Sequence, residues 1–217
     1  MTEIGKLPLR YRLPRRLGQL YAGLILYGIS MAFMIRSRLG SMPWDVFHQG
    51  VARQTGLPFG WVVVGLSGFV LLLWIPLRQR PGLGTVSNAL TIGLIADRAL
   101  AVLPAPHPMT VRIAFLLVGI GLNGLATGLY IGGVLGAGPR DGLMTGLVAR
   151  TGGSIRLVRT GIEVIVVVSG WLLGGTFGAG TIIYALSIGP LVQLFLPRLV
   201  VRRAPAAYPD RVPVGRP

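Results

Sequence analysis

Six long apolar runs dominate the pattern of hydrophobic and polar positions along the chain. A helix needs about 20 mostly apolar residues to cross the hydrocarbon core of a bilayer, and each run is close to that length. Backbone groups in lipid must be bonded within their own segment, and no run alternates as a membrane β-strand does. The pattern therefore predicts six transmembrane helices, at 17–35, 57–77, 83–103, 111–131, 157–173 and 177–196.

Two copies of one short polar stretch, 39–56 and 135–152, lie between these runs. Equivalent positions are 96 residues apart: Leu39, Gly40, Pro43, Asp45, Gly50, Thr55 and Gly56 recur as Leu135, Gly136, Pro139, Asp141, Gly146, Thr151 and Gly152. The same spacing aligns the flanking spans, as Arg16 with Arg112 and Gly23 with Gly119. The pattern predicts a duplicated protein whose halves each contain three spans and one motif helix, at 43–55 or 139–151.

Each motif helix is predicted to be too short to span a membrane. Proline suits the first helical turn, and the aspartate two positions later favours the positive end of the helix dipole. About a dozen residues make roughly 18 Å of helix, about half of a bilayer. The helix either lies at the interface or dips into the membrane and returns.

Three spans per half is an odd number, so the second half should insert upside down relative to the first. The positive-inside rule supports this arrangement with both termini in the cytoplasm, although Arg36 and Arg38 break the pattern. The predicted fold is an all-α polytopic membrane protein of two inverted three-helix repeats. Its segments are a basic N-terminus (1–16), repeat 1 (17–103), repeat 2 (104–197) and a basic, proline-rich tail (198–217).

Composition and charge narrow the function. Apolar residues make up 52% of the chain and charged residues 12%, the balance of a membrane protein. The 21 basic residues lie at span ends and in the tails, where they face the membrane surface, so we exclude nucleic acid as a partner. There is no cysteine and no catalytic motif, and two distant histidines make a poor metal site. We expect no enzyme activity, metal or cofactor.

The motif helices supply the first candidate site residues. Short helices at matching places in inverted halves are a pointer to a transporter's central site, where their N-termini would face an anion. Asp45 and Asp141 would gate a cation or proton there, or only cap their helices. His48, one turn after Asp45, is a candidate for proton coupling or an interfacial histidine. Arg140, beside Pro139, completes this group.

Other candidates lie inside the spans. Glu163 is an acid within the fifth span, which marks a functional site unless it only pairs with Arg159. Asn88 and Asn123 could line a pocket or only bond neighbouring helices. A four-residue glycine ladder predicts close packing against a neighbouring helix or another subunit, and hence a possible homo-oligomer, through Gly124, Gly128 and Gly132.

The runs Pro-Trp-Asp-Val-Phe-His-Gln-Gly at 43–50 and Gly-Pro-Arg-Asp-Gly at 138–142 resemble the YczE/YyaS/YitT family of bacterial integral membrane proteins, closest to its YczE-type branch. The resemblance covers about residues 15–197, and Met42 stands where a glycine is typical. It implies a multi-pass protein of the bacterial plasma membrane. The family's members are largely uncharacterised, so the resemblance supplies no reaction, substrate or functional residues.

Two functions fit this sequence. The first is a small secondary-transporter-like protein with a central site between its inverted repeats. The second is a non-transporting membrane accessory, or a substrate-binding subunit of a larger complex.

Overall fold

The computed structural model describes residue 8 and residues 11–201. Within them the chain forms eight α-helices and no strand. The helices are α1 (Leu13–Ser37), α2 (Pro43–Thr55), α3 (Phe59–Trp74), α4 (Leu83–Val102), α5 (Met109–Gly132), α6 (Pro139–Thr151), α7 (Ile155–Leu172) and α8 (Ala179–Leu199). The predicted terminal segments 1–16 and 198–217 fall largely outside the described residues.

The long helices α1 and α5 pack against each other at the centre of the molecule. Two equivalent glycines allow their backbones to approach closely. A Cβ on Gly23 of α1 would lie 2.7 Å from the backbone nitrogen of Tyr130, and one on Gly119 of α5 would lie 3.1 Å from the carbonyl oxygen of Ser30. Small residues bring membrane helices together in this way. Outside this pair, α4 packs on α1 and α8 packs on α5.

The motif helices α2 and α6 each pack against the opposite half of the chain. α2 lies on α7, and α6 lies on α3. Both helices have the bounds expected from the sequence, with proline in the first turn. Each ends at a glycine in the left-handed region, Gly56 at φ 69° and Gly152 at φ 66°, where residues with a Cβ are strained.

Equivalent hydrogen bonds recur in the two halves. The backbone N–H of Gly84 donates to Leu135, and that of Gly180 donates to Leu39, over 2.9 and 2.8 Å. Likewise Arg16 Nε donates to the carbonyl of Gly133 over 2.8 Å, and the equivalent Arg112 Nε donates to that of Ser37 over 2.8 Å. The sequence repeat thus corresponds to a repeat of tertiary contacts between the halves.

The length and apolar composition of some of the helices support integration into a membrane. Four described helices, α1, α4, α5 and α8, are long and apolar enough to cross a bilayer. The 16-residue α3 meets α2 at 112°, and this bent pair forms either one further span or a re-entrant loop. α7 carries Arg156, Arg159 and Glu163. The all-helical prediction is confirmed for the described residues, whereas the six-span arrangement stays a prediction, with four candidate spans, or five if the bent pair is one span.

The glycine ladder of α5 contacts α8 of the same chain, the first of its two predicted alternatives. A Cβ on Gly124 would lie 2.7 Å from that of Leu191, and one on Gly128 would lie 3.0 Å from that of Phe195. Gly132 faces the carbonyl of Leu199. All three glycines are buried, so a homo-oligomer through this ladder stays a prediction that would require α8 to move away.

Candidate functional site: a charged cavity between two helix N-termini

The N-termini of α2 and α6 meet in the interior of the helix bundle. Met42, the residue before α2, lies with its sulfur 3.8 Å from Nη1 of Arg140 in the first turn of α6. The guanidinium carbon of Arg140 lies 5.1 Å from the ring centroid of Trp44. Trp44 and Arg140 are equivalent positions of the repeat, so the two halves contact each other through the same position of each motif.

This meeting point lies at the level of the middle of α1. Tyr27 is close to the midpoint of the 25-residue helix, and its hydroxyl lies 3.6 Å from the sulfur of Met42. α2 therefore begins deep within the bundle and runs outward to Thr55. A loop that returns so far along α1 was not required by the sequence, which left an interfacial motif helix open.

Two small cavities flank Arg140. The larger has a volume of about 120 Å³ and is lined by Tyr27, Met42, Pro43, Trp44, Arg140, Asp141, Met144, Arg159, Ile162, Glu163 and Tyr184. The smaller, of about 50 Å³, is lined by Tyr27, Val63, Ser67, Asn88, Ile92, Tyr130, Gly138, Pro139, Arg140 and Asp141. Three side chains line both cavities: Tyr27, Arg140 and Asp141.

Asp45 lies behind the wall of the larger cavity and is fully buried. Its Oδ1 lies 3.3 Å from Nδ1 of His48 and 3.9 Å from Nη2 of Arg140. Its Oδ2 has no hydrogen-bond partner among the described residues. His48 is also buried, between the rings of Trp44 and Phe59. A buried carboxylate with one unbonded oxygen is costly for the fold, which favours a role beyond helix capping.

Asp141 occupies the equivalent position in α6 but faces both cavities. Its Oδ2 accepts a hydrogen bond of 2.8 Å from the hydroxyl of Tyr130 on α5. Met144 stands where His48 stands in α2, so the second half has no equivalent acid–imidazole pair. The two motif aspartates therefore have different partners despite their equivalent positions.

Glu163 lines the larger cavity from α7 and forms an ion pair with Arg159 one turn earlier, at 2.9 Å. The glutamate side chain is 33% exposed and the arginine 54%, so both reach the edge of the cavity. The structure thus combines the two interpretations of Glu163, because an internal ion pair forms part of the cavity wall.

The two asparagines have different positions. Asn88 lines the smaller cavity beside Ser67. Asn123 is fully buried and lines neither cavity; it donates to Ser30 and accepts from Tyr184, both over 2.9 Å. Asn123 therefore joins α1, α5 and α8, and it positions the Tyr184 ring in the cavity wall.

Sequence reasoning missed most of the aromatic wall. Tyr27, Tyr130 and Tyr184 were not among the candidates from sequence, although Tyr27 and Tyr184 are the repeat equivalents of Asn123 and Asn88. Trp44 and Met144 also line the larger cavity. A signal was present, because a phenol inside an apolar span needs a hydrogen-bond partner and so points toward other polar groups.

Comparison with known proteins places the chain among membrane proteins of unestablished activity. The model of a family of unknown function, DUF6198, matches residues 14–197. An uncharacterised protein of Haemophilus influenzae is 44% identical over 80% of this chain and 79% of its own length. Uncharacterized membrane protein YczE of Bacillus subtilis is 34% identical over 83% of this chain and 85% of its own.

Uncharacterized protein YyaS of Bacillus subtilis is 26% identical over 81% of this chain and 89% of its own. The resemblance inferred from the two motifs is thereby confirmed. No solved structure matches the chain.

Proposed function

Since the chain belongs to DUF6198, a family of unknown function, and is similar to a protein named as a membrane protein, we propose that it is a small secondary-transporter-like protein of the bacterial plasma membrane. Its solute site is the pair of cavities at Arg140, between two inverted halves. In this proposal α1, α3, α4, α5, α7 and α8 cross the membrane, while α2 and α6 enter and return. Both termini are cytoplasmic, and the protein is not an enzyme.

One observation carries the proposal: two short helices from different halves begin at the same point, beside Arg140 and level with the middle of α1. Broken helices whose N-termini meet near the bilayer midplane form the central sites of many secondary transporters. Helix N-termini and an arginine there can hold a small charged solute, which the bilayer itself excludes.

The reciprocal packing of the halves also supports the proposal. Each motif helix lies on the span that follows the other motif helix, α2 on α7 and α6 on α3. Movement of either motif helix would therefore shift a span of the opposite half. Alternating access by one repeat moving against the other needs such coupling across a central site.

Solute flux into vesicles tests this function. The purified full-length chain is reconstituted into liposomes, and counterflow is measured with a panel of labelled small polar solutes. Arg140→Gln should abolish the flux that the wild type shows. The matched control Arg156→Gln, on the exposed surface of α7, should leave it unchanged. Absence of flux for the whole panel, with stable co-purification of a larger partner, would support the accessory function instead.

Cysteine labelling tests the inverted topology separately. The chain has no native cysteine, so single variants carry no background. Thr55 and Thr151 are equivalent, exposed residues at the outer ends of α2 and α6. A membrane-impermeant thiol reagent should label Thr55→Cys in intact cells and Thr151→Cys only in inverted vesicles. Labelling of both from the same side would contradict the inversion, whatever the flux result.

A further inference from the structure

We propose that the larger cavity binds a small monocarboxylate at Arg140, and that one proton binds to the Asp45–His48 pair in the same step. This inference rests on the proposed function, because it gives the solute class and the coupling ion of that site.

Arg140 has hydrogen-bonding capacity to spare. Its side chain is 24% exposed, and among the described residues the hydrogen-bond acceptor of Nη1 is the thioether sulfur of Met42, which is a weak acceptor. Its distance to Asp45, 3.9 Å, is too long for a hydrogen bond. Its guanidinium carbon lies over the ring of Trp44, 5.1 Å from the centroid, in a cation–π contact that uses none of its N–H groups. A guanidinium edge pairs best with a carboxylate, through two parallel N–H···O bonds.

The charges around the cavity indicate that an added anion must bring a proton. Arg140 and Arg159 are opposed by Asp45, Asp141 and Glu163, which gives one net negative charge. The two helix N-termini offset it with roughly half a positive charge each. A bound carboxylate would leave this buried region negative by about one charge, which is costly in a low-dielectric interior. One bound proton restores the balance.

Asp45 and His48 are the place for that proton. When a solute carboxylate pairs with the guanidinium of Arg140, it offsets the positive charge that faces fully buried Asp45 across 3.9 Å. A proton taken from the aqueous phase then gives either a neutral carboxylic acid or an imidazolium–aspartate pair. Oδ2 of Asp45, which has no partner among the described residues, is free to receive it.

The other groups near Asp45 do not replace this proton site. α3 carries no titratable residue, and α7 contributes Arg156, Arg159 and Glu163, of which the last two are already paired. The remaining neighbours are the phenols Tyr27 on α1 and Tyr184 on α8. In the second half, Asp141 is bonded to Tyr130 and lacks an imidazole. We therefore expect one proton per solute rather than two.

Calorimetry of acetate binding tests this inference. The full-length chain in detergent is titrated with sodium acetate at neutral pH, in two buffers of different protonation enthalpy. The difference in heat gives the protons taken up, and we expect about one per acetate. Affinity for acetate should also fall up to about tenfold per pH unit as the pH rises above neutral. Asp45→Asn should still bind acetate, with proton uptake near zero.

Asp97→Asn is the matched control. This carboxylate lies on α4, outside both cavities, and accepts the N–H of Gly60, which an amide oxygen can also do. The variant should keep both binding and uptake. If Asp45→Asn does not fold, the wild-type comparison of two buffers still decides whether one proton is taken up with each acetate.

Each outcome has a distinct meaning. Acetate binding without proton uptake overturns the coupling and leaves the transport proposal standing. Absence of saturable acetate binding overturns the solute class, and binding of glycine or methylammonium instead would identify a zwitterion or cation site. Binding with uptake of one proton but no acetate-driven proton flux in vesicles supports the inference and contradicts transport.

Discussion

The contact of α2 with α7 and the contact of α6 with α3 occupy equivalent places in the two halves. The glycine lies on the span in the first contact and on the motif helix in the second. In the first contact, backbone atoms of Val46 and Phe47 of α2 lie against Gly170 of α7. In the second, Gly142 of α6 lies against Trp74 of α3. Val46 is equivalent to Gly142, and Gly170 is equivalent to Trp74. The larger residue of each pair is therefore on the motif helix α2 in the first contact and on the span α3 in the second.

This difference shows how a duplicated contact can acquire two roles. A small residue on α7 lets α2 approach until its backbone touches, which buries Asp45 and His48. A large residue on α3 instead holds the N-terminus of α6, because Trp74 Nε1 donates a hydrogen bond of 2.9 Å to the carbonyl of Pro139. Asp45 is therefore buried behind the wall of the larger cavity, whereas Asp141 lines both cavities.

Filling the first contact should have the largest effect. In Gly170→Leu the new Cβ would overlap the backbone of Phe47, and backbone atoms cannot move aside as a flexible side chain can. We expect destabilisation above about 3 kcal/mol and loss of a monodisperse peak in size-exclusion chromatography. Gly161→Leu, on the same helix with nothing within 4 Å of a Cβ at that position, should behave as wild type. Equal behaviour of the two variants would show that α2 does not lie on α7.

A double-mutant cycle in the second contact should have a smaller effect. Gly142→Val places bulk against the Trp74 ring, and Trp74→Gly removes that ring, each at a cost of about 3 kcal/mol. Together they recreate the Val–Gly pair of the first contact. We expect the double variant to cost at least about 2 kcal/mol less than the sum.

Reversible unfolding in mixed detergent and SDS measures the three free energies. We expect the double variant to recover only part of the lost free energy of unfolding, because the hydrogen bond from Trp74 to the carbonyl of Pro139 is also lost. Strict additivity would mean that the two residues do not pack together.

The smallest effect concerns the two aspartates. Tyr130→Phe removes the hydroxyl that donates to Oδ2 of Asp141, so this oxygen, like Oδ2 of Asp45, lacks that hydrogen bond. The expected loss is about 1.5 kcal/mol, since a bond to a charged acceptor is stronger than a neutral one. Tyr21→Phe, a control on the exposed face of α1, should lose less than about 0.5 kcal/mol. The apparent melting temperatures of both variants check this order, and a larger shift for Tyr21→Phe would contradict it.

Local signals determined the motif helices. Pro43 and Pro139 lack an N–H that the first turn does not need, and Gly56 and Gly152 adopt the left-handed region that ends a helix. These constraints act within one turn, so the bounds 43–55 and 139–151 followed from sequence. The apolar runs likewise contained helices, although α3 is shorter than its predicted span at 57–77.

Long-range contacts decided which candidates form the site. Arg140, Asp141, Glu163 and Asn88 line cavities, whereas His48 and Asn123 are buried behind the walls. Periodicity gives the side of a helix on which a residue lies, but it does not give the neighbour on that side. Comparison of the repeats could not reveal that Tyr130 bonds Asp141, because the equivalent residue in the first half is Met34, which has no hydroxyl.

The sequence by itself determined the helical membrane class, the repeat and the ends of its two short helices, because hydrophobic length, proline and glycine act locally. Only the tertiary structure decided that these helices begin beside Arg140, that Asp45 is sealed while Asp141 is open, and that the glycine ladder lies against α8. These features depend on which side chains fit across contacts between residues far apart in the chain, and such fits are set by packing of the whole bundle.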